Sequence, residues 1–307
     1  MADLRFDGRV ALVTGAGRGI GRSHALLLAS RGARVVVADY GGSLEGTGGA
    51  SSTPADEVVA EIKAAGGEAV ACYGSVADPK GAASMIEAAL DSFGGIDIVV
   101  NNAGISNLQF FEDLGLDDFR RQVDVHYLGS VHVVQAAWPH MCKAGYGRIV
   151  NTCSEAMLGM HPYVTSYGGA KGGVFGLTRT LATEGPFHGI LVNAIAPRAH
   201  TRLGNEDSVV KTFNMPKEFA AGVMQAMPPE LVSPAMAFLA HETCKLNGEV
   251  LISGGGQVQR MTVQVTQGIQ TNALTPEYIA ENLDVLLDLT GCQLIEVNTE
   301  IRQNVPA

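Results

Sequence analysis

The chain has 307 residues, of which 46% are hydrophobic and 17% are charged, and its formal net charge at pH 7 is −10. An acidic balance of this size disfavours nucleic acid and anionic membrane surfaces as partners, because both require clustered positive charge. The five cysteines form no Cys-x-x-Cys pair, and neither an apolar leader nor an apolar run of about 18 residues occurs, so we expect a cytoplasmic protein that binds a small molecule without a metal.

Short apolar segments rich in β-branched residues alternate along the chain with segments of helical periodicity. This alternation predicts a doubly wound parallel sheet of the Rossmann type, with helices on both faces. Seven strands are predicted, at residues 9–14, 34–39, 69–73, 96–101, 148–152, 191–196 and 249–253. The main helices are predicted at residues 23–31, 55–65, 81–93, 116–143 and 166–184. Ligands should bind at the carboxyl ends of the strands.

Three segments depart from the regular alternation. Residues 40–53 form an insertion rich in glycine and serine, expected to be a flexible surface loop, and residues 198–230 are expected to form a substrate lid. Residues 257–307 follow the last predicted strand, with a strand-like stretch at 261–265 and a helix at 275–289. About 50 residues make a poor independent core. We therefore predict a catalytic domain at 1–256 and an extension at 257–307 that packs on it or on a neighbouring subunit.

The turn after the first predicted strand is the best candidate for a coenzyme site. Glycines let the backbone approach a phosphate closely, and the helix that follows offers free amides and the positive end of its dipole. After an apolar strand and before a helix, this pattern predicts a dinucleotide pyrophosphate site. The segment comprises Thr14, Gly15, Ala16, Gly17, Arg18, Gly19, Ile20 and Gly21.

Two further turns are expected beside the coenzyme. Asp39 ends the second predicted strand, where a carboxylate can accept hydrogen bonds from both adenosine ribose hydroxyls and would repel a 2′-phosphate. This favours NAD over NADP, although the Arg18 guanidinium could pair with such a phosphate, and Asp39 could also be an ordinary turn acid. After the fourth strand come small residues that permit close approach, namely Asn102, Ala103 and Gly104.

A candidate acid/base lies in the second half of the chain. Tyr167 and Lys171 are four residues apart, which places them on one face of the predicted helix. The ordinary pKa of tyrosine is about 10, and we expect Lys171 and a positive nicotinamide ring to lower it so that Tyr167 exchanges a proton with a substrate oxygen. Ser154, after the fifth strand, is expected to hydrogen-bond the same oxygen.

Together these segments resemble the short-chain dehydrogenase/reductase family over roughly residues 7–256. The resemblance implies NAD(P)-dependent oxidation of a secondary alcohol or reduction of a ketone by a homodimer or homotetramer. It also implies that Pro197 and Thr201 contact the nicotinamide end of the coenzyme. Ser75 and Val76 are assigned to the coenzyme site in the same way, with Ser75 replacing the usual aspartate near the adenine.

Two other positions differ from the pattern of the family. His126 stands where the family usually has an asparagine that helps to hold a proton-relay water, and we expect the relay to survive because the main-chain carbonyl largely holds that water. Arg198 replaces the usual glycine after Pro197. Glu155 is expected either to bind a polar group of the substrate or to face solvent. The basic residues of the lid could meet CoA phosphates or face water, and they are Arg198, Arg202, Lys211 and Lys217.

A narrower resemblance concerns the (R)-3-hydroxyacyl-CoA dehydrogenase part of peroxisomal multifunctional enzymes and their bacterial relatives. It is carried by the segments 39–42, 125–126, 136–141 and 274–277. It implies a 3-hydroxyacyl-CoA substrate, while a hydroxysteroid or another secondary alcohol stays open. Two rival functions are a regulator that binds the dinucleotide without turnover and a sugar-nucleotide epimerase or dehydratase. The intact Ser154, Tyr167 and Lys171 set argues against the first, and the short extension argues against the second.

Overall fold

The computed structural model describes residues 3–46, 49–201, 210 and 216–298. Its main sheet has eight strands in the order β3-β2-β1-β4-β5-β6-β7-β8. Neighbouring strands from β3 to β7 are parallel, which confirms the doubly wound α/β prediction, and β8 runs antiparallel to β7 at the edge. The strands are Val10–Thr14 (β1), Arg34–Ala38 (β2), Glu68–Cys72 (β3), Ile98–Asn101 (β4), Gly147–Thr152 (β5), Ile190–Pro197 (β6), Val250–Gly254 (β7) and Gln257–Met261 (β8).

Helices cover both faces of this sheet. In chain order they are Gly19–Ser30 (α1), Thr53–Ala64 (α2), Pro79–Phe93 (α3), Leu116–Gln122 (α4), Gly129–Ala144 (α5), Thr165–Glu184 (α6), Lys217–Gln225 (α7), Ser233–Ala240 (α8), Pro276–Glu281 (α9) and Leu283–Leu287 (α10). The helices α1, α2 and α8 pack over one face, and α3 and α5 pack over the other.

The residues of β1 show why its sequence reads as one continuous apolar run. Ala11 and Val13 point into the core under α1, whereas Val10 and Leu12 point into the core under α3 and α5. All four are at most 1% exposed. A parallel strand that is covered on both faces has no polar side, so its sequence does not alternate.

The single helix predicted at residues 116–143 is interrupted in the structure. One π-helical turn, Val123–Leu128, separates α4 from α5. The Ser130 hydroxyl donates to the His126 carbonyl oxygen at 2.8 Å within this region. Isolated π-helical turns of this kind often occur at functional sites. His126 lies inside the turn.

The extension begins as part of the sheet. Strand β8 pairs with β7 in the register Val250↔Met261, so the strand predicted at 261–265 lies mainly earlier in the chain. Strands Gln264–Val265 (β9) and Gln293–Leu294 (β10) then form a separate antiparallel pair. The Arg179 guanidinium donates to the Ile295 carbonyl oxygen at 2.6 Å, which fastens the far end of the extension to α6. The division into a catalytic domain and an extension stays a prediction.

Across the described residues, none of the helices combines the length and the hydropathy that crossing a membrane requires.

Candidate active site

The glycine-rich turn between β1 and α1 is built so that no side chain fills it. Gly15 has φ +64°, and a Cβ there would lie 2.8 Å from the Ala103 Cα. A Cβ at Gly21 would overlap the Gly15 carbonyl oxygen. Only glycine satisfies both constraints, and the resulting cradle at the start of α1 fits a pyrophosphate.

Thr14 ties this turn to the loop after β4. Its hydroxyl oxygen accepts hydrogen bonds from the Asn102 and Ala103 amides, both at 3.0 Å. The Asn102 side-chain amide donates to the carbonyl oxygens of Thr14 at 2.9 Å and Gly15 at 3.2 Å. The structure thus brings together two turns that the sequence assigned separately to the coenzyme site.

Replacing Gly21 with alanine tests the cradle. The added methyl group would overlap the Gly15 carbonyl oxygen and the Asn102 amide nitrogen, so NAD affinity should fall. Overpacking of this kind costs about 1–3 kcal/mol, and every 1.4 kcal/mol corresponds to about tenfold in affinity. Calorimetric titration with NAD measures the change. Gly95→Ala is the matched control, because no atom lies within 4 Å of the added Cβ; equal NAD affinity in both variants would contradict the assignment.

Asp39 lies where β2 ends and faces the glycine turn. One carboxylate oxygen accepts from the Gly17 amide at 2.8 Å, and the other accepts from the Gly41 amide at 2.7 Å. These two bonds fix the orientation of a partly buried carboxylate. Arg18 is exposed at the start of α1. Asp39 is therefore more than a solvated turn acid, since its side chain is held by backbone amides on two sides.

Ser75 and Val76 follow β3 at the same edge of the sheet. The Ser75 hydroxyl accepts from the Ala77 amide at 3.3 Å. Val76 is buried against Gly129, the first residue of α5. A Cβ at Gly129 would lie only 2.8 Å from a Val76 methyl group, so the glycine allows α5 to pack close to Val76.

The insertion after β2 is packed in its described part. The Ser106 amide donates to the Leu44 carbonyl oxygen at 3.0 Å, and Gly46 lies against Ile105. This part of the insertion is a surface loop that contacts the loop after β4, and its expected flexibility stays a prediction.

Ser154, Tyr167 and Lys171 meet near the carboxyl end of β5. Tyr167 lies in the first turn of α6 and Lys171 one turn later. The Lys171 ammonium donates to the Thr152 carbonyl oxygen at 2.6 Å and lies 5.6 Å from the centre of the Tyr167 ring. The Ser154 hydroxyl oxygen accepts from the Ala156 amide at 3.2 Å, which caps a short 3₁₀ turn.

Burial has the largest effect on the electrostatics around Tyr167. Burial raises the pKa of Tyr167 above its usual value, while its hydrogen bond with Ser154 acts in the opposite direction. Burial also lowers the pKa of Lys171 to about 8. In the protein without coenzyme, desolvation therefore outweighs the hydrogen bond with Ser154. The expected lowering of the Tyr167 pKa by Lys171 and the nicotinamide ring together stays a prediction.

His126 lies beside Tyr167 with its ring edge-on, and the two ring centres are 5.0 Å apart. Its Nε2 lies 2.9 Å from the Ile105 carbonyl oxygen and accepts from the Ile105 amide at 3.3 Å, so this nitrogen meets an acceptor and a donor of the same residue. Among the described residues, its buried Nδ1 has no hydrogen-bond partner. Burial and the Lys171 charge hold the pKa of His126 well below its usual value. The ring is thus neutral, and its Nδ1 is left unpaired.

Comparisons with known proteins decide the family. Residues 9–203 match the family model described as short chain dehydrogenase. The chain belongs to the short-chain dehydrogenase family. It is an oxidoreductase that acts on CH–OH groups with an NAD(P) nucleotide, as the sequence predicted.

This dehydrogenase has extensively matching relatives. It is 42% identical over 287 residues to a short-chain type dehydrogenase/reductase of Mycobacterium tuberculosis, covering 93% of this chain and 96% of the relative. It is 41% identical over 292 residues to mouse peroxisomal multifunctional enzyme type 2, covering 94% of this chain and 38% of that enzyme. The crystal structure of a short chain dehydrogenase from Mycobacterium avium aligns with a TM-score of 0.75 and 37% identity, covering 92% and 95% of the two chains.

In the dehydrogenase, the segment after β6 approaches the coenzyme cradle. Strand β6 ends at Pro197, and the Thr201 methyl group lies 3.4 Å from the place that a Cβ of Gly19 would take. Arg202 and Lys211, two of the basic residues considered for CoA, lie outside the described residues. The lid and its contact with CoA stay predictions.

Sequence reasoning missed one feature of this site. The Arg198 guanidinium donates two hydrogen bonds to the Glu155 carboxylate, both 2.6 Å long. Glu155 is therefore not simply solvated, and the Arg198 charge is offset. The signal was present in the sequence as two unusual residues at two strand ends, but their pairing depends on the adjacency of β5 and β6.

Proposed function

We propose that this protein is an NAD-dependent dehydrogenase of 3-hydroxyacyl-CoA thioesters, which interconverts the 3-hydroxy and 3-keto groups. The observation that carries the proposal is the meeting of Ser154, Tyr167 and Lys171 at the sheet edge that also holds the glycine cradle. A phenol, a hydroxyl and an ammonium group held together in this way can exchange a proton with a secondary alcohol and stabilise charge on its oxygen.

The choice of NAD rests on Asp39. Its carboxylate is fixed by the Gly17 and Gly41 amides at the end of β2, where the adenosine ribose of a dinucleotide lies in this fold. A negative charge there favours free ribose hydroxyls and repels a 2′-phosphate. Arg18 is exposed at the start of α1, so its guanidinium is the group that competes with this preference.

Tyr167 is the proposed acid/base. In the oxidation direction its phenolate oxygen takes the proton of the substrate hydroxyl, while Ser154 donates a hydrogen bond to the same oxygen. When bound, the nicotinamide ring supplies the hydride acceptor and a positive charge. Lys171 holds its ammonium 5.6 Å from the centre of the Tyr167 ring, and together with the nicotinamide charge it is proposed to favour the phenolate in the coenzyme complex.

His126 is the proposed relay residue. Its neutral ring lies beside Tyr167, and its Nδ1 is buried without a partner among the described residues. We propose the tautomer with the proton on Nε2, in which Nδ1 accepts from a water molecule that passes the proton outward. His126 lies in the π-helical turn, and we infer that it takes over the role of the asparagine of the family pattern.

Two substitutions test the relay. His126→Leu removes the acceptor and should lower kcat by about tenfold or more, since a positioned proton-transfer group contributes a factor of about 10² to 10⁴. His126→Asn keeps a polar acceptor and should retain most of the activity. The kcat of each variant is measured in H₂O and D₂O. Equal kcat and equal solvent isotope effects in wild type and His126→Leu would remove His126 from the mechanism.

Support for the acyl-CoA substrate comes from sequence and from surface. The chain is 41% identical to mouse peroxisomal multifunctional enzyme type 2, and the segments 39–42 and 125–126 resemble its hydroxyacyl-CoA dehydrogenase part. The loops before α4 and before α6 join where the Phe110 and Tyr163 rings pack with their centres 4.1 Å apart. The same two loops carry exposed apolar side chains that suit an acyl chain, namely Phe111, Leu158 and Met160.

A substrate panel tests the proposal. NADH formation is followed with NAD, and NADPH formation with NADP, for (R)- and (S)-3-hydroxyacyl-CoAs, hydroxysteroids and simple secondary alcohols. We expect the (R)-3-hydroxyacyl-CoAs with NAD to give the highest kcat/KM. Turnover of hydroxysteroids alone would keep the chemistry and replace the substrate. We further propose a cytoplasmic homodimer or homotetramer, in line with the family.

A further inference from the structure

We propose that the ion pair of Glu155 and Arg198 is a clamp that positions Ser154 for the chemical step. The clamp joins the loop after β5, which carries Ser154, to the segment after β6, which approaches the coenzyme cradle. This inference rests on the proposed role of Ser154, and it makes Glu155 and Arg198 positioning residues of the reaction.

The geometry of the pair is that of a rigid fork. The Arg198 Nε and Nη2 atoms each donate to a different Glu155 carboxylate oxygen, both at 2.6 Å. The side chains are 37% and 17% exposed for Arg198 and Glu155, respectively. Two parallel charge-assisted bonds in a half-buried place restrain orientation as well as distance, which a single surface contact does not do.

Arg198 is the fixed half of the clamp. Its backbone amide donates to the Ser253 carbonyl oxygen at 2.8 Å. Its carbonyl oxygen packs so closely on Gly254 that a Cβ at Gly254 would overlap it. The Arg198 backbone therefore contacts the end of β7 directly. The Arg198 Nη1 atom also lies 3.4 Å from the Gln259 side-chain oxygen on β8. The guanidinium is therefore held by the frame of the sheet.

Glu155 is the tethered half. It directly follows Ser154 and begins the 3₁₀ turn Glu155–Leu158, whose first free amide is capped by the Ser154 hydroxyl. A rotation of this turn would move the Ser154 oxygen relative to Tyr167. By fixing the first side chain of the turn, the clamp limits that rotation. A misplacement of about 1 Å at a reacting centre can cost about 10²-fold in rate.

The ion pair gives one reason for the presence of both Glu155 and Arg198. A glycine in place of Arg198, the usual residue of the family pattern, would leave the Glu155 carboxylate half-buried without its cation. Glu155 without Arg198 would bring an uncompensated negative charge beside the acid/base. The requirement is mutual, which predicts that the two residues act as a unit.

The experiment is a double-mutant cycle on kcat. Glu155→Ala and Arg198→Ala should each lower kcat by about 10- to 100-fold, with the KM for NAD changed less than twofold. The double variant should be no slower than the slower single variant. Arg198→Lys keeps the charge without the fork and should fall between wild type and Arg198→Ala.

Arg260 and Glu249 supply a matched control. They form the same fork at 2.7 Å on both arms, but at the outer edge of β8. Arg260→Ala should leave kcat unchanged. Additive losses in the cycle, unchanged kcat in both single variants, or an equal loss in Arg260→Ala would overturn the clamp.

A second measurement does not depend on the substrate. The Ser154 hydrogen bond lowers the pKa of Tyr167, so a displaced Ser154 should raise it. The ultraviolet absorbance of each variant is titrated against pH. Subtracting the curve of the same variant that also carries Tyr167→Phe leaves the titration of the Tyr167 phenol alone.

Glu155→Gln, which keeps the shape of the side chain, replaces Glu155→Ala if the latter does not fold. An unchanged Tyr167 titration in a folded variant that lacks the fork would contradict the clamp, whereas a wild type inert toward 3-hydroxyacyl-CoA contradicts only the proposed substrate. In that case the cycle uses the alcohol of the panel that is oxidised fastest.

Discussion

Tyr167→Phe is expected to lower kcat by a factor of about 10² to 10⁴ while the affinity for NAD changes little. Phenylalanine keeps the ring that packs edge-on against His126, with the ring centres 5.0 Å apart, and removes only the hydroxyl that exchanges the proton. The measurement pairs the initial rate of NADH formation with a calorimetric titration of NAD.

Tyr146→Phe is the control for this variant. Tyr146 lies just before β5, at the opposite edge of the sheet, where its ring stacks under the Arg9 and Arg148 guanidinium groups. The same hydroxyl is lost there, and kcat should stay within about twofold of wild type. If Tyr167→Phe retained wild-type kcat, Tyr167 would not be the acid/base.

Asp39→Ala should change the choice of coenzyme. The substitution removes the charge that disfavours a 2′-phosphate and the acceptor proposed for the ribose hydroxyls. Hydrogen bonds to a charged group contribute about 1.5–3 kcal/mol, so kcat/KM for NAD should fall about 10- to 100-fold. The value for NADP should fall less or rise. Both values are measured with one substrate at fixed concentration.

Part of any loss in Asp39→Ala comes from the Gly17 and Gly41 amides, which lose their acceptor. The ratio of NADP to NAD activity separates this effect, because a disturbed glycine turn weakens both coenzymes alike. Asp91→Ala on α3 makes the same change in net charge at an exposed position. A ratio that is equal in wild type, Asp39→Ala and Asp91→Ala would contradict the role of Asp39.

The strands of the sheet were predictable because each is an apolar run buried on both faces. The seven parallel strands begin and end within two residues of their predicted bounds. The eighth strand was misplaced, since the stretch predicted at 261–265 shares only Met261 with it. Residues of Gln257–Met261 are largely exposed and include Gln and Arg, and their strand conformation comes from pairing with β7. Such pairing is a tertiary effect that local sequence does not encode.

The interrupted helix at 116–144 was out of reach for a similar reason. Helical periodicity continues across the π-helical turn, since one widened turn hardly shifts an apolar pattern. His126 was found only through the resemblance to the family, and its edge-on contact with Tyr167 required the three-dimensional structure.

The sequence was sufficient to select candidate-site residues where coenzyme binding requires a particular residue type after a strand. Gly15, Gly21 and Asp39 belong to this class. The pairing of Glu155 with Arg198 was not predictable, because the two residues are 43 positions apart and meet only through the adjacency of β5 and β6. The burial that raises the pKa of Tyr167 was likewise out of reach, since burial depends on the packed protein.

The most direct test of the central claim follows the hydrogen itself. The protein is incubated with NAD and (R)-3-hydroxyacyl-CoA deuterated at carbon 3, and the reduced coenzyme is analysed by mass spectrometry. We predict that the deuterium appears in the reduced coenzyme and that Tyr167→Phe forms it at least about 10²-fold more slowly. Reduced coenzyme without deuterium, or an equal rate of labelling in Tyr167→Phe, would contradict the proposed reaction at this site.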